Sequence, residues 1–164
     1  MAAREPGRAL GIVGHGRRDR QQRGPRGAAE APVTAVLRVR RYRCRGCRAI
    51  LTVVPYEVAP RRHYSRPAIA LALARQGLLR ERAAAVRRAI SPWSVSETSG
   101  WPTLRRWQGA VAAGTLLPQV QPRAGATGLE IAARAAYVAM AYAPPSLRGA
   151  PVLAQVYAGA TAMA

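Results

Sequence analysis

The chain reads as an α+β protein: a small N-terminal β-ribbon, then a mainly helical region, then further C-terminal helices. Three observations predict this. Apolar and polar residues alternate over 33–43, the period of a strand with one covered face. From Ser65 onward the apolar spacing becomes helical. Stretches rich in glycine and proline punctuate the chain at 114–128 and at Pro144-Pro145. At 164 residues there is room for one ordinary domain or two small ones. The expected division is a basic β region over 1–62, a three-helix region over 63–113, a linker over 114–128 and alanine-rich helices over 129–164. No internal repeat is visible.

Taken in order, Leu10-Gly11-Ile12-Val13 suits a short strand, and Arg17 to Glu30 reads as an exposed basic loop of Gly, Pro and Arg. In the next strand Val33, Ala35, Leu37 and Val39 share one face, while Thr34, Arg38, Arg40 and Tyr42 share the other. The chain turns at Arg45-Gly46, and the β-branched run Ile50 to Val54 returns as a further strand, stopped by Pro55. Ser65 is placed as an N-cap, with Pro67 in the first turn. Ile69, Leu71, Ala72, Leu73, Leu78 and Leu79 make the helix apolar on most sides, which marks it as the central, buried one.

A second helix, about Glu81 to Ile90, carries Ala83, Val86 and Ile90 inward and Arg82, Arg87 and Arg88 outward; Ser91-Pro92 ends it. After a Ser-rich connection, Pro102 sits at N1 of a third helix. Trp101, Leu104, Trp107 and Val111 form its inner face, and Arg105, Arg106 and Gln108 point elsewhere. Three short helices with arginines on the last suit a helix-turn-helix. Further on, Ile131, Ala135, Val138 and Tyr142 mark one helix face, and Leu153, Val156, Ala160 and Met163 another.

The net charge is +19, which favours a polyanionic partner. All arginines except Arg123, Arg134 and Arg148 lie at or before Arg106, so the basic character belongs to the first two thirds. Lys, Asn and Phe are absent. A very GC-rich coding sequence would impose that choice of base, but it does not explain the scarcity of acids. No stretch is long and apolar enough for a membrane span, and no apolar leader core follows Arg4 and Arg8. The expected location is cytoplasmic, associated with the nucleoid.

The densest signal is Arg40-Arg41-Tyr42-Arg43-Cys44-Arg45-Gly46-Cys47-Arg48. Cys44 and Cys47 have the spacing of a knuckle that grips one side of a tetrahedral zinc. They are the only cysteines, so the expected zinc site is incomplete, with His15 the candidate third ligand. The plainer reading is two reduced thiols on a β-turn; a redox pair would open a helix instead. His63, followed by Tyr64 and Ser65, suits capping or packing. Arg40, Arg43, Arg45 and Arg48 suit phosphate contact, and Arg105 and Arg106 suit base or phosphate contact, against the plainer reading of a solvated helix face. Trp93, Trp101 and Trp107 read as core.

Arg41-Tyr42-Arg43-Cys44-Arg45-Gly46-Cys47, Thr52-Val53-Val54-Pro55, Pro60-Arg61-Arg62-His63-Tyr64-Ser65 and Trp101 to Trp107 together resemble the N-terminal zinc-ribbon and helix-turn-helix region of bacterial transposases, and a related transposase-like family of high-GC bacteria. The resemblance covers about 10–110. It implies a zinc cofactor held by four cysteines, the first pair preceding a segment like His15-Gly16-Arg17-Arg18. That pair is not in this sequence, which leaves two explanations: the true start lies upstream, the leading expectation, with zinc bound by the longer product, or this member has lost half of its site.

Strand transfer needs a set of carboxylates to hold two metal ions. Asp19 is the only aspartate and the glutamates are scattered, so the chain is expected to be non-enzymatic. The leading expectation is a DNA-binding, transposase-like module without a catalytic domain. The alternatives are an RNA-binding or ribosome-associated basic ribbon, an interaction adaptor acting through 129–164, and a degraded mobile-element remnant. DNA target and oligomeric state are not encoded legibly.

Overall fold

A computed structural model describes residues 11–59, 61–93 and 100–163. Leu10 of the first expected strand, Pro60 of the motif before Ser65, and the Ser-rich connection over 94–99 lie outside the described residues. The element order is β1 (Ile12–Gly24), β2 (Val33–Cys44), β3 (Ile50–Val53), then α1 (Arg66–Gly77), α2 (Ala83–Ile90), α3 (Pro102–Ala112), α4 (Gly128–Ala141) and α5 (Val152–Ala162). The α+β class follows directly: a three-stranded antiparallel sheet precedes five helices.

Two compact units emerge, one of Met1–Gln21 with Val36–Pro55 and one of Gln22–Ala35 with Tyr56–Ala164. The first holds most of the sheet, ordered β1-β2-β3. Strands β2 and β3 pair with Arg40 opposite Val53, Arg41 opposite Thr52, Tyr42 opposite Leu51 and Arg43 opposite Ile50. The expected alternation in β2 is present: Val39 is buried, while Arg38 and Arg40 are exposed. Val39 is the one buried side chain among the described residues of this unit, and all four residues of β3 are exposed. Pairing, rather than a core, holds this ribbon together.

The segment expected as a basic loop is mostly strand, since β1 runs on to Gly24. Its residues Gly14 to Asp19 are exposed whichever way they face, so no alternation marks the strand. Backbone pairing with β2 sets it, and composition does not report backbone pairing.

The second unit is built around α1. Ser65 caps it, its hydroxyl accepting from the Ala68 amide at 3.2 Å, and Pro67 sits in the first turn. Pro67 through Ala74 are all buried, because α1 packs against α2, α3, α4 and α5. Leu79 does not share that burial: α1 ends at Gly77 and Leu79 is exposed. Helix α3 presents Leu104, Trp107 and Val111 inward as expected. Gln108 is also buried, against expectation. Its amide donates to Gln76 Oε1 at 2.7 Å and to the Gly128 carbonyl at 2.9 Å, which offsets the desolvation.

The expected linker is part of this core. Leu116, Leu117 and Val120 are buried, and α4 and α5 pack on α1 and on each other. The helices of 63–113 and 129–163 therefore share one apolar core instead of forming separate segments. Leu153, Val156, Ala160 and Met163 face it as expected, whereas Tyr142 caps the end of α4 and is exposed.

Thr127 and Glu130 form a capping box at the start of α4. The Thr127 amide donates to the Glu130 carboxylate at 2.7 Å, and the Glu130 amide donates to the Thr127 hydroxyl at 3.3 Å. Thr127→Ala is expected to lower stability by about 1 kcal/mol, read as a lower urea midpoint at unchanged slope. The Glu130 carboxyl is held below its ordinary value of 4.5, first by the Thr127 backbone amide and then by its hydroxyl. Its contribution is therefore in place above pH 4.5 and is lost as pH falls through the lower folded-state value.

Candidate nucleic-acid interface

On the ribbon, the knuckle is an ordered turn. The Cys44 amide donates to the Ala49 carbonyl and the Arg48 amide to the Cys44 carbonyl, both at 2.9 Å. Arg48 takes φ 59°, a left-handed turn conformation. Cys44 is half-buried and Cys47 exposed, with no disulfide between them. The residue beside them is Gly11, directly before β1, whose carbonyl accepts from the Arg45 amide at 2.7 Å.

His15 is exposed and lies four residues further along the strand, about 13 Å away at roughly 3.3 Å per residue. The structure thus does not bring His15 to the thiols. No cluster of three or more His, Cys, Asp or Glu side chains able to hold a metal forms among the described residues. Cys44 and Cys47 supply half of a tetrahedral zinc site, and the described residues do not fit a complete one.

Arg40, Arg43, Arg45 and Arg48 are all exposed. Strand alternation puts Arg40 and Arg43 on opposite faces of β2, so these two do not cover one side of the ribbon.

In the helical unit, Arg105 and Arg106 are both exposed on α3. Between α2 and α3 lie residues 91–101, a longer connection than the three or four residues of a compact helix-turn-helix. Arg106 stands in the wall of a cleft that Arg105 does not line. This cleft of about 220 Å³ is lined by Arg23, Arg61, Arg62, His63, Tyr64, Thr103, Arg106 and Trp107. Three separated stretches of chain build it, and the local sequence explains how each is placed.

Arg23 is fixed by backbone pairing: its amide donates to the His63 carbonyl at 2.6 Å, and its carbonyl accepts from the Ser65 amide at 3.4 Å. The next residue, Gly24, takes φ 117°, and a Cβ there would lie 2.4 Å from the Ala68 Cβ. Only glycine allows that approach to α1. The Arg23 guanidinium stacks 3.8 Å over the Trp93 ring. Trp93 itself is 54% exposed, so unlike the other two tryptophans it is not core.

Arg61 adopts φ 56°, a strained conformation for a non-glycine residue. His63 is exposed and lines the cleft; the capping role expected for it falls to Ser65 and the packing role to Tyr64. The cleft floor is aromatic. Tyr64, Trp101 and Trp107 meet edge to face, with centroids 5.0–6.0 Å apart, and the Tyr64 hydroxyl donates to Ser91 Oγ at 3.2 Å.

The lining carries four guanidinium groups and no carboxylate. Helix α3 begins at its edge without a side-chain cap and without an acid in the first turn, so its positive end is not offset locally. A larger groove of about 760 Å³, along 121–126 and the start of α4, mixes Arg123 and Arg134 with Glu130 and lacks that single-signed field.

A family model described as a domain of unknown function (DUF6431) matches residues 9–107, more than half the chain. The chain belongs to the DUF6431 family. No curated protein and no solved structure matches it. The DUF6431 segment includes the cysteine knuckle, all six arginines singled out from the sequence and every residue lining the cleft, and it ends at Trp107. Helices α4 and α5, which complete the core around α1, lie beyond it. Among the described residues of this DUF6431 protein, no helix is long and apolar enough to cross a membrane.

The sequence did not single out the cleft. The signal for it was Arg61-Arg62-His63 directly before the Ser65 cap, a cationic run in the turn that opens the central helix.

Proposed function

We propose that this protein binds duplex DNA as a transposase-like module without a catalytic domain. The observation that carries this reading is the single-signed cleft, where Arg23, Arg61, Arg62 and Arg106 converge with no carboxylate in the lining. Like charges gathered this way raise the local concentration of an anionic partner. The ribbon by itself carries the exposed Arg40, Arg43, Arg45 and Arg48, and within the helical unit Arg105 adds a further exposed guanidinium on α3. Arginine also suits phosphate through its planar donor fork.

On this reading most of the binding energy comes from phosphate neutralisation. The logarithm of affinity should fall linearly with the logarithm of salt concentration, by about 0.9 for each phosphate contacted. Titrating a duplex oligonucleotide across a salt series, with folded RNA as competitor, provides the check. A steep slope with duplex preferred is the expected result. A flat dependence, or a stronger preference for folded RNA, counts against it.

A further inference from the structure

We propose that the cleft between Arg61 and Arg106 is a receptor for one phosphomonoester group, such as the terminal phosphate of a nucleic-acid strand; this deepens the DNA-binding reading and rests on it for the strand end as ligand. Size sets the class of ligand first. About 220 Å³ is below the range of pockets that hold whole drug-sized molecules, so the cleft suits a single polar group and not a complete nucleotide.

The chemistry of the walls and floor narrows it further. The aromatic rings offer no stacking face, because Trp107 is 2% and Tyr64 9% exposed. The accessible lining is instead guanidinium, imidazole and the Thr103 side chain, a set of donors directed at oxygen acceptors. Among the described residues, the Arg61 and Arg106 side chains make no hydrogen bond or ion pair, so their donors are available to a ligand.

Shape separates a chain end from an internal phosphate. An internal phosphodiester continues as ester-linked backbone on both sides, and on a duplex it approaches along a convex ridge. Such a ridge meets the rim of a concave site walled by three stretches of chain. A terminal phosphate has one ester link, three open oxygens and an extra negative charge, so it can enter and receive donors from several walls at once. The left-handed backbone at Arg61 is the kind of local strain that persists where a side chain must be aimed.

The test is competition binding at low salt, using one short unlabelled duplex with either 5′-phosphate or 5′-hydroxyl ends. The wild-type protein should prefer the phosphorylated duplex by about tenfold, the scale of several charge-assisted hydrogen bonds. The double variant R61Q/R106Q should lose that preference. Arg105→Gln, on the same helix but outside the cleft, should weaken binding to both duplexes alike and keep it. Equal affinity for the two ends in the wild type, or a preference unchanged in R61Q/R106Q, overturns the strand-end assignment.

Inorganic phosphate alone supplies an independent arm. It should raise the thermal midpoint of the wild type and not that of R61Q/R106Q. Stabilisation without end discrimination would make free phosphate the ligand in place of a strand end. Absence of stabilisation together with absence of end discrimination overturns the cleft as an anion site. Should neither duplex bind at low salt, the DNA reading fails, and the phosphate arm still decides the cleft.

Discussion

Replacing Trp107 with alanine is expected to destabilise the helical unit by about 3–5 kcal/mol. The indole is 2% exposed, and its ring lies 5.1 Å from Tyr64 and 5.0 Å from Trp101 in edge-to-face geometry. Truncation removes a large apolar area, leaves a cavity and forfeits two aromatic pairs, each worth about 0.5–1.5 kcal/mol beyond burial. Set against a total stability of roughly 5–15 kcal/mol, such a loss is enough to unfold much of the population at moderate temperature. Thermal and urea unfolding followed by far-ultraviolet circular dichroism reads it directly. Trp107→Phe, which keeps an aromatic ring in the same place, should lose clearly less. A loss below about 1 kcal/mol in W107A would show that the aromatic floor does not hold α3 against α1.

The inner face of α3 was legible because Trp101, Leu104, Trp107 and Val111 repeat at helical spacing. Ser65 and Pro67 marked the start of α1 in the same direct way. What α1 needed around it was less plain. A helix that is apolar on every side must be wrapped on every side, and α2 and α3 alone are too few for that. This requirement draws α4, α5 and the 116–120 segment into the core, where glycine and proline content alone suggested a linker.

The errors at the ribbon have a different origin. Strand β1 is exposed along most of its length, so its side chains carry no record of the pairing that defines it. His15 is not gathered with the two thiols among the described residues, because being on the strand next to a knuckle does not fix where along that strand a residue falls. The cleft depends on residues 23, 61–64 and 103–107 coming together, which tertiary packing decides and no local period reports. Of the sequence candidates on α3, Arg106 was separated from Arg105 only by helix rotation.

The same chemical change, glycine to alanine, is expected to act with opposite sign at two helical positions. In α5 a Cβ on Gly159 would lie 1.7 Å from the Ala139 carbonyl oxygen and 2.7 Å from its carbon. Both are backbone atoms of α4 and cannot swing aside, so the helices themselves must separate. That separation would loosen contacts of the fully buried Ala136, Ala139 and Val156, in a core whose many alanines gain their dispersion energy only at close approach. Gly159→Ala should therefore cost about 3 kcal/mol, the upper end of ordinary overpacking. In α3, Gly109 is exposed, and a Cβ there meets nothing within 4 Å. Gly109→Ala should gain about 0.5–1 kcal/mol by removing backbone freedom from the unfolded chain. Urea midpoints of the two variants, measured side by side, check both signs. If Gly159→Ala proves neutral while Gly109→Ala stabilises, α4 and α5 are not in backbone contact, and the packing that encloses α1 must be arranged differently.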